Sequence, residues 1–306
     1  HVHSPFLLGR LGAYAARQYS LPLVFTFHTL YEQYVHYLPV ARQRTKLIIQ
    51  SIGRDFCNRC NLVVAPSRLV EEYLREIGVT VQIAVIPTGI DLEEFKQKDP
   101  RWLQSKYGLF AKERILLFVG RLGKEKNIVF LLESFYRLQQ EIPDIRLVIV
   151  GGGPQEEELR RLCDRMGIEE KVIFTGVLPR NEVVHCYASA DLFVFPSITE
   201  TQGLVIAEAK AAALPVVAIK AFGAAEMVRH GEDGFLTDHS QDSFTRSIIK
   251  LLEERDLYEI MRRNAQVNAV ELSCSISADE LVAHYERLSR SKYPSPPSPP
   301  LHYQQV

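Results

Sequence analysis

Short apolar runs alternate with amphipathic stretches from about residue 113 onward. The runs are rich in β-branched and aromatic residues, which is typical of buried strands. The stretches between them have the spacing of helices, and PQEEELRRLCDRMG (154–167) adds a proline and acids near its start. This alternation predicts a doubly wound α/β domain with a parallel sheet. We predict strands in RILLFVG (114–120), IRLVIVGGG (145–153), VIFTG (172–176), DLFVFPS (191–197) and PVVAI (215–219).

The first third of the chain shows the same alternation less completely. It predicts a second α/β domain without its first strands, because the chain opens in what reads as a strand end, HVHSP. The predicted strands are LPLVFTFH (21–28), LVVAPS (62–67) and IAVIPTG (83–89), and the predicted helices are LLGRLGAYAARQY (7–19), residues 41–60 and RLVEEYLREIG (68–78).

Two domains also agree with the length of 306 residues. We expect an N-terminal domain at 1–110, a C-terminal domain at 111–272 and a helix at 273–290. The stretch 89–110 has several turn residues and no strand pattern, so it is the candidate connection between the domains. The Pro/Ser-rich tail at 291–306 is expected to be disordered.

The composition narrows the classes of function. With 46% hydrophobic and 24% charged residues and a net charge of −1, nothing global points to nucleic acid as a partner. No apolar run reaches the roughly 18 residues that a membrane span needs. Five cysteines, an odd number, favour reduced thiols in a cytoplasmic protein. Cys57 and Cys60 have CxxC spacing, which leaves structural, redox and zinc-binding roles open.

The segment ETQGLVIAE (200–208) places two glutamates around a predicted helix start. If the helix begins near Gly203, its N–H groups and its dipole suit a phosphate. Glu200 and Glu208 can then accept hydrogen bonds from hydroxyls on either side of that phosphate, which is the layout of a nucleotide-sugar. Two alternatives stay open: a surface helix with two solvated glutamates, and an acid/base pair of the glycosidase kind.

The segment VGRLGKEKNI (119–128) carries the second candidate group. Arg121 and Lys126 follow the first strand of the C-terminal domain, on the rim of the sheet where the glutamates are expected. Two cations there can neutralise a diphosphate leaving group as its bond to a sugar breaks. Solvated basic residues in a surface loop are the alternative.

Together, VGRLGKEKN, LVIVGGGP, ADLFVFPSITETQGLVIAEAKAAALPVVA and GAAEMVRHGEDGFL resemble the retaining glycosyltransferases of family four. The resemblance runs to about residue 290 and implies the GT-B fold, an α/β fold of two facing Rossmann-like domains, with the N-terminal one incomplete here. It implies that Arg121 and Lys126 bind the donor diphosphate, that Glu200 contacts the transferred sugar and Glu208 the ribose, and that His28 lies beside the sugar. The backbone that would line the phosphate and sugar is that of Thr201, Gln202, Gly203, Leu204 and Val205.

The resemblance also implies a mechanism. The family has no agreed covalent nucleophile, and the leaving diphosphate is thought to help deprotonate the acceptor. The chain has no Asp-x-Asp motif, so we expect neither a metal nor a cofactor, and the nucleotide-sugar is a substrate. Two departures stand out: Ala213 replaces a glycine of the family, and the family's first strand and glycine-rich loop have no counterpart, so this sequence begins some way into the N-terminal domain.

The segment HTLYEQYVHYLP (28–39) most resembles the branch that glucosylates diacylglycerol and, more distantly, the phosphatidylinositol mannosyltransferases. That likeness implies that Tyr31, Tyr34, His36 and Tyr37 line an acceptor cleft. The next stretch interleaves basic and apolar residues, which suits an anionic membrane surface, although a solvated face over a core helix is the alternative. Its basic residues include Arg42, Arg44 and Lys46, and its apolar ones Leu47, Ile48, Ile49 and Ile52.

The expected function is therefore retaining transfer of a hexose, with glucose favoured, from a nucleotide-sugar to a diacylglycerol-type lipid. A UDP-sugar is favoured over a GDP-sugar. The expected location is cytoplasmic, on the inner face of the membrane. The alternatives are the same chemistry on a soluble sugar or small alcohol, and an inactive chain that still binds nucleotide. A Rossmann dehydrogenase is disfavoured because no G-x-G-x-x-G follows a strand.

Overall fold

The computed structural model describes residues 1–31 and 42–290, except for the side chains at positions 42, 43 and 222. Its contacts divide the chain into two compact units. Unit 1 comprises His1–Pro87 and the chain from Ser277 on, and unit 2 comprises Thr88–Ile276. All strand pairs in both units are parallel within the described residues, which confirms the predicted α/β class.

Unit 1 contains a three-stranded parallel sheet in the order β1-β2-β3. Its strands are short and apolar, and each coincides with a predicted one. The C-terminal helix also belongs to this core, since Leu288 is buried against Val24 and Val64. The elements are α1 (Leu7–Gln18), β1 (Val24–Thr26), α2 (Arg42–Cys57), β2 (Leu62–Ala65), α3 (Arg68–Glu76), β3 (Ile83–Val85) and α12 (Cys274–Arg290), the last counted from Ser277 on.

Unit 2 contains a six-stranded parallel sheet in the order β6-β5-β4-β7-β8-β9. The five predicted strands are all present. The sixth, β9, has only Phe235 and Leu236 between a glycine and a threonine, so it lacks the continuous apolar run of the others. The strands are β4 (Arg114–Val119), β5 (Ile145–Val150), β6 (Val172–Gly176), β7 (Leu192–Phe195), β8 (Val216–Ile219) and β9 (Gly234–Thr237).

The helices of unit 2 cover its sheet, whose neighbouring inner strands β7 and β8 are buried along their whole length. Burial on both faces explains why these strands read as continuous apolar runs. The helices are α4 (Trp102–Tyr107), α5 (Ile128–Glu141), α6 (Glu156–Met166), α7 (Arg180–Ser189), α8 (Leu204–Ala211), α9 (Phe222–Met227), α10 (Gln241–Glu253) and α11 (Arg255–Ala269).

The strand order of unit 2 reverses at β4. The chain moves from β4 through β5 to β6 on one side, and then returns to place β7 on the other side of β4. Open α/β sheets bind ligands at such a reversal, beyond the carboxyl ends of the two central strands. The loops that follow β4 and β7 therefore define the crevice in which a ligand is expected.

The stretch 88–110 lies with unit 2, whereas the sequence suggested a boundary at 110. The physical reason is that Phe95 and Leu103 are buried in the core of unit 2. These two apolar residues occur in a 3₁₀ turn and a six-residue helix, which are too short to show a period. The predicted connection is therefore largely part of the second unit.

The CxxC pair lies at the end of α2, and both Cys57 and Cys60 are buried and unoxidised. Burial raises the pKa of Cys57 to about 12, so its thiol stays protonated. The Cys60 thiol donates to the Phe56 carbonyl at 3.3 Å. No group of three or more metal-ligating side chains occurs among the described residues. These observations favour the structural interpretation of the pair.

Ala213 adopts a backbone conformation that favours glycine. It follows the C-terminus of α8 with φ of 62° and is buried. A left-handed residue just after a helix is usually glycine, because a Cβ in this conformation costs roughly 1–2 kcal/mol. The departure noted at this position in the sequence is thus a site of backbone strain.

We predict that Ala213→Gly raises the free energy of unfolding of unit 2 by about 1 kcal/mol, because it removes that strain. Urea denaturation followed by tryptophan fluorescence measures this change, since the chain's one tryptophan, Trp102, lies in unit 2. Ala212→Gly is the matched control, because Ala212 has φ of −77° and should lose stability on becoming glycine. Equal destabilisation by both changes would contradict the prediction.

Candidate active site

The loops after β4 and β7 are tied to each other at the reversal of the sheet. The Asn127 side-chain amide donates to the Pro196 carbonyl at 3.2 Å. The Ser197 hydroxyl lies 3.3 Å from the Glu125 carbonyl. Because these contacts join one loop to the other, the side chains that both loops carry are held in a fixed relation.

Lys126 and Glu200 form an ion pair across these two loops. The side chains are 17% and 16% exposed, so the pair is largely withdrawn from water. The Ser197 hydroxyl donates a second hydrogen bond to the same carboxylate oxygen, at 2.9 Å. The Lys126 ammonium also lies 6.0 Å from the centre of the Phe195 ring. The two residues predicted for the diphosphate and the sugar thus lie side by side.

Arg121 lies in the same loop as Lys126 and is exposed. The loop is pressed against the loop after β5, because the Leu122 amide donates to the Gly152 carbonyl at 3.0 Å. A Cβ at Gly153 would lie 2.4 Å from the Leu122 carbonyl oxygen, so only glycine fits there. This packing fixes the backbone on either side of Arg121 while its side chain reaches solvent at the rim.

Gly203 begins α8 as predicted. It has φ of 84°, and its carbonyl accepts a hydrogen bond from the Ile206 amide. The loop before it packs on the start of α9, where the Gly223 amide donates to the Glu200 carbonyl at 2.9 Å. A Cβ at Gly223 would lie 2.3 Å from the Thr201 carbonyl oxygen. The backbone from Thr201 to Gly203 is therefore held from behind by α9.

The other residues predicted to line the donor differ in exposure. The Gln202 side chain is buried and forms two hydrogen bonds with the backbone of Thr88. Its Oε1 accepts from the Thr88 amide and its Nε2 donates to the Thr88 carbonyl, both at 2.9 Å. That side chain has a structural role, which leaves the backbone of Gln202 for the predicted contact. Leu204 is exposed and Val205 is partly buried on the first turn of α8.

Glu208 is held at both of its carboxylate oxygens. Arg180 donates from Nη1 to Oε1 at 2.6 Å, and the Tyr187 hydroxyl donates to Oε2 at 2.8 Å. The Glu208 side chain is 13% exposed. Glu200 and Glu208 each accept from one cation and one hydroxyl, so the alternative of two solvated glutamates does not describe this site.

Unit 1 carries the predicted histidine just after β1. His28 Nε2 lies 2.9 Å from His3 Nδ1, and the two rings stack. Burial and the neighbouring His3 lower the pKa of His28, so the neutral imidazole predominates at pH 7. Tyr31 is half-buried and packs edge-on against the rings of Phe6 and Phe27.

Of the other residues predicted to contact the acceptor or the membrane, some are described by the structure and some are not. Arg44 and Lys46 are exposed on α2. Leu47 and Ile48 beside them are 62% and 59% exposed. Outside the described residues lie Tyr34, His36, Tyr37 and the side chain of Arg42.

Two family models match the chain. Residues 101–268 match the model of the glycosyl transferases group 1, and residues 1–94 match that of glycosyltransferase family 4. The first match alone covers more than half of the chain. The chain belongs to the glycosyl transferases group 1 family.

Curated relatives of this glycosyltransferase include two enzymes named alpha-monoglucosyldiacylglycerol synthase. The one from Streptococcus pneumoniae is 36% identical over 223 residues, which are 71% of this chain and 51% of the relative. The one from Acholeplasma laidlawii is 27% identical over 278 residues, which are 88% of this chain and 70% of the relative. The chain thus spans about half of the pneumococcal relative.

A solved structure gives the same fold. The crystal structure of Anabaena HepE in complex with UDP-glucose has a TM-score of 0.80 and 26% sequence identity, and the likeness covers 91% of this chain and 76% of that one. The glycosyltransferase therefore has the GT-B fold, and the fold class predicted from its sequence is confirmed.

Four residues of the site were not predicted. Ser197, Arg180 and Tyr187 hold the two glutamates of the glycosyltransferase, and Gly223 supports the loop before α8. Tyr187 follows Cys186 in an apolar helix and reads as core, and Arg180 reads as a solvated residue at a helix start. Their roles depend on contacts between distant segments, which no local pattern reveals.

A buried ion pair anchors the far end of α8. Lys210 lies 2.7 Å from Asp233, with side chains that are 4% and 0% exposed, and its ammonium also donates to the Met227 carbonyl at 3.0 Å. Asp233 accepts further hydrogen bonds from the Arg229 amide and the Asn268 side chain, each at 2.8 Å. The pair links α8 to the end of α9 and to α11, and so it supports the helix that carries Glu208.

We predict that Lys210→Met lowers the free energy of unfolding of unit 2 by about 3 kcal/mol, because it leaves the buried Asp233 without its cation. The double change Lys210→Met with Asp233→Asn should cost less, since no uncompensated charge remains. Trp102 fluorescence in urea measures both. Lys220→Met, at an exposed lysine, is the control and should change stability by less than about 0.5 kcal/mol. A single change no more costly than the control would contradict the role of the pair.

Proposed function

We propose that this glycosyltransferase transfers a hexose, with retention of configuration, from a UDP-sugar to a diacylglycerol-type lipid at an anionic membrane surface. The observation that carries the proposal is the paired arrangement at α8, in which Glu200 is held beside Lys126 and Glu208 is held beside Arg180. The names of the curated relatives support a glucosylated lipid, and the UDP-glucose bound to HepE supports the donor.

The donor diphosphate is assigned to the cations of the loop after β4. Lys126 and Arg121 neutralise the charge that builds on the diphosphate as its bond to the sugar breaks. Glu200 partners Lys126 in the structure, and a bound donor would give that lysine a diphosphate oxygen as a new partner. The backbone N–H groups at the start of α8 add a positive dipole on the same side.

The hexose is assigned to Glu200 and the ribose to Glu208. Ionised carboxylates are strong acceptors for sugar hydroxyls, and each is already oriented by a cation and a hydroxyl donor. His28 is assigned to the transferred sugar, where a neutral imidazole can share a hydrogen bond without adding charge. The leaving diphosphate takes the proton of the acceptor on the same face of the sugar, which accounts for retention.

The acceptor is assigned to unit 1. Arg44 and Lys46 supply positive charge on α2, and the exposed Leu47 and Ile48 that follow them supply apolar area. A surface of this composition binds anionic lipid through electrostatic attraction and through burial of its apolar side chains. Tyr31 would contact the lipid acceptor beside this surface. No helix in the described part of the chain is long and apolar enough to cross a bilayer.

Calorimetric titration with UDP, GDP and UDP-glucose, followed by an assay of sugar-lipid on vesicles of phosphatidylglycerol and diacylglycerol, tests the proposal. We expect binding of UDP and formation of an α-linked glucolipid. If UDP binds but sugar is transferred only to soluble sugars, the proposed lipid acceptor is wrong. If no nucleotide binds, the donor assignment is wrong.

We predict that Glu200→Ala lowers turnover by about 10²- to 10³-fold, because the hydroxyls of the reacting sugar lose the carboxylate that accepts their hydrogen bonds. Lys126→Ala should weaken both the binding of UDP and the rate, because the leaving diphosphate loses its counter-charge. Initial rates over a range of UDP-glucose concentrations separate these effects. Lys124→Ala, an exposed lysine in the same loop, is the matched control. Control-like activity in both site variants would contradict the site assignment.

We predict that the double change Arg44→Glu with Lys46→Glu reduces binding to anionic vesicles by at least about tenfold, because each basic residue near such a surface contributes about 1 kcal/mol. Vesicle sedimentation at low salt measures the change. Arg165→Glu with Arg246→Glu in unit 2 alters net charge equally and should leave vesicle binding nearly unchanged. Equal losses in both pairs would mean that net charge, and not α2, governs binding.

A further inference from the structure

Arg180 connects three segments around Glu208. It is the first residue of α7, and it bridges Glu208 of α8 and Glu94 of the 3₁₀ turn at Leu92–Phe95. Its Nη1 lies 2.6 Å from Glu208 Oε1, and its Nη2 lies 2.7 Å from Glu94 Oε2. The guanidinium carbon also lies 5.6 Å from the centre of the Phe95 ring. One cation thus holds two carboxylates over an aromatic ring.

Tyr187 completes the arrangement from the buried side. Its ring is fully buried and packs against Phe95 and Phe193, with ring centres 6.2 and 5.6 Å away. Burial and the nearby Glu208 raise the pKa of Tyr187 well above its usual value, so the hydroxyl stays protonated and donates a hydrogen bond to Glu208. The carboxylate of Glu208 is therefore fixed at one oxygen by a buried donor and at the other by Arg180.

The hydrogen-bonding capacity of Glu208 leaves room for a ligand. A carboxylate has about four acceptor sites, two on each oxygen. Arg180 and Tyr187 occupy one on each oxygen, which leaves one further site on each. Two adjacent hydroxyl groups on a ring, such as the 2′ and 3′ hydroxyls of a ribose, match that pattern.

We propose that Arg180 is a positioning residue that, with Tyr187, orients Glu208 to accept both ribose hydroxyls, and that this arrangement selects a ribonucleotide donor over a deoxyribonucleotide one. The proposal rests on the assignment of Glu208 to the ribose under the proposed function. Arg180 acts through Glu208 and is not itself assigned a contact with the donor.

Charge gives Arg180 a second effect on the donor. Glu94, Glu208 and Arg180 together carry a net charge of −1, and removal of the arginine leaves two carboxylates near a site for an anionic diphosphate. Part of any loss of affinity in a variant is thus simple repulsion, which salt screens. Loss of the ribose contacts has no such dependence on salt, so the two effects can be separated.

Calorimetric titration of the full chain with UDP and with 2′,3′-dideoxy-UDP tests the proposal without any acceptor. We expect the wild type to bind UDP about 10- to 100-fold more tightly than the dideoxy nucleotide, because hydrogen bonds to a charged group are strong. Arg180→Met should lower UDP affinity by about tenfold or more and remove most of that ribose preference, in high salt as in low.

Three further variants make the result specific. Tyr187→Phe keeps the buried ring and should reduce the preference for UDP in part. Arg180→Lys keeps the positive charge and should also retain only part of that preference. Arg161→Met removes a surface arginine paired with Glu157 at 2.9 Å. This control should leave the affinity for UDP and for the dideoxy nucleotide unchanged. With saturating UDP-glucose, kcat of Arg180→Met should stay within about threefold of the wild type, because the hexose contacts remain.

The outcomes separate this proposal from the function on which it rests. If the wild type binds neither nucleotide, the proposed function fails and this inference fails with it. If the wild type prefers UDP and Arg180→Met weakens both nucleotides equally, the donor assignment stands and the positioning role of Arg180 is overturned. A wild type that binds both equally overturns the ribose role of Glu208.

Discussion

Two charges held together where the sheet reverses direction govern the candidate site. Lys126 and Glu200 come from loops on the two central strands, β4 and β7, and a largely buried ion pair between them is stable only while both loops keep their places. The surrounding contacts hold both loops in place. Asn127 ties one loop to the other, and Gly223 supports the backbone of Glu200 from α9. Under the proposed assignment, an anionic donor would meet a lysine that is already in place and needs only to exchange its partner.

The same principle recurs along α8. Glu208 is held by Arg180 and Tyr187 just as Glu200 is held by Lys126 and Ser197, so both carboxylates are oriented before any ligand binds. Orientation before binding reduces the conformational entropy lost when the ligand arrives. The buried pair of Lys210 and Asp233 extends this support to the far end of the helix. Under the proposed assignment, carboxylates that are held in place before binding suit a flexible nucleotide-sugar.

The sequence predicted the elements whose patterns are local. Five strands of unit 2 and three of unit 1 read correctly because buried parallel strands are continuous apolar runs, and Gly203 marked the start of α8. Lys126 and Glu200 were both singled out, but their direct pairing was not, because they are 74 residues apart in the chain. Phe95 and Leu103 joined unit 2 without any periodic signal, and Arg180 and Tyr187 looked like ordinary surface and core residues. Contacts between distant segments and short turns carry no signature in a single sequence.

A crystal structure of the chain with UDP-glucose tests the central claim most directly, because the claim concerns where each part of the donor lies. The account predicts the diphosphate against Arg121 and Lys126, the hexose hydroxyls on Glu200 and the ribose hydroxyls on Glu208, with the pair of Lys126 and Glu200 opened. A nucleotide bound elsewhere would contradict the account. One such place is the cavity of about 490 Å³ at the opposite ends of the strands, lined by Arg114, Asp191 and Tyr258.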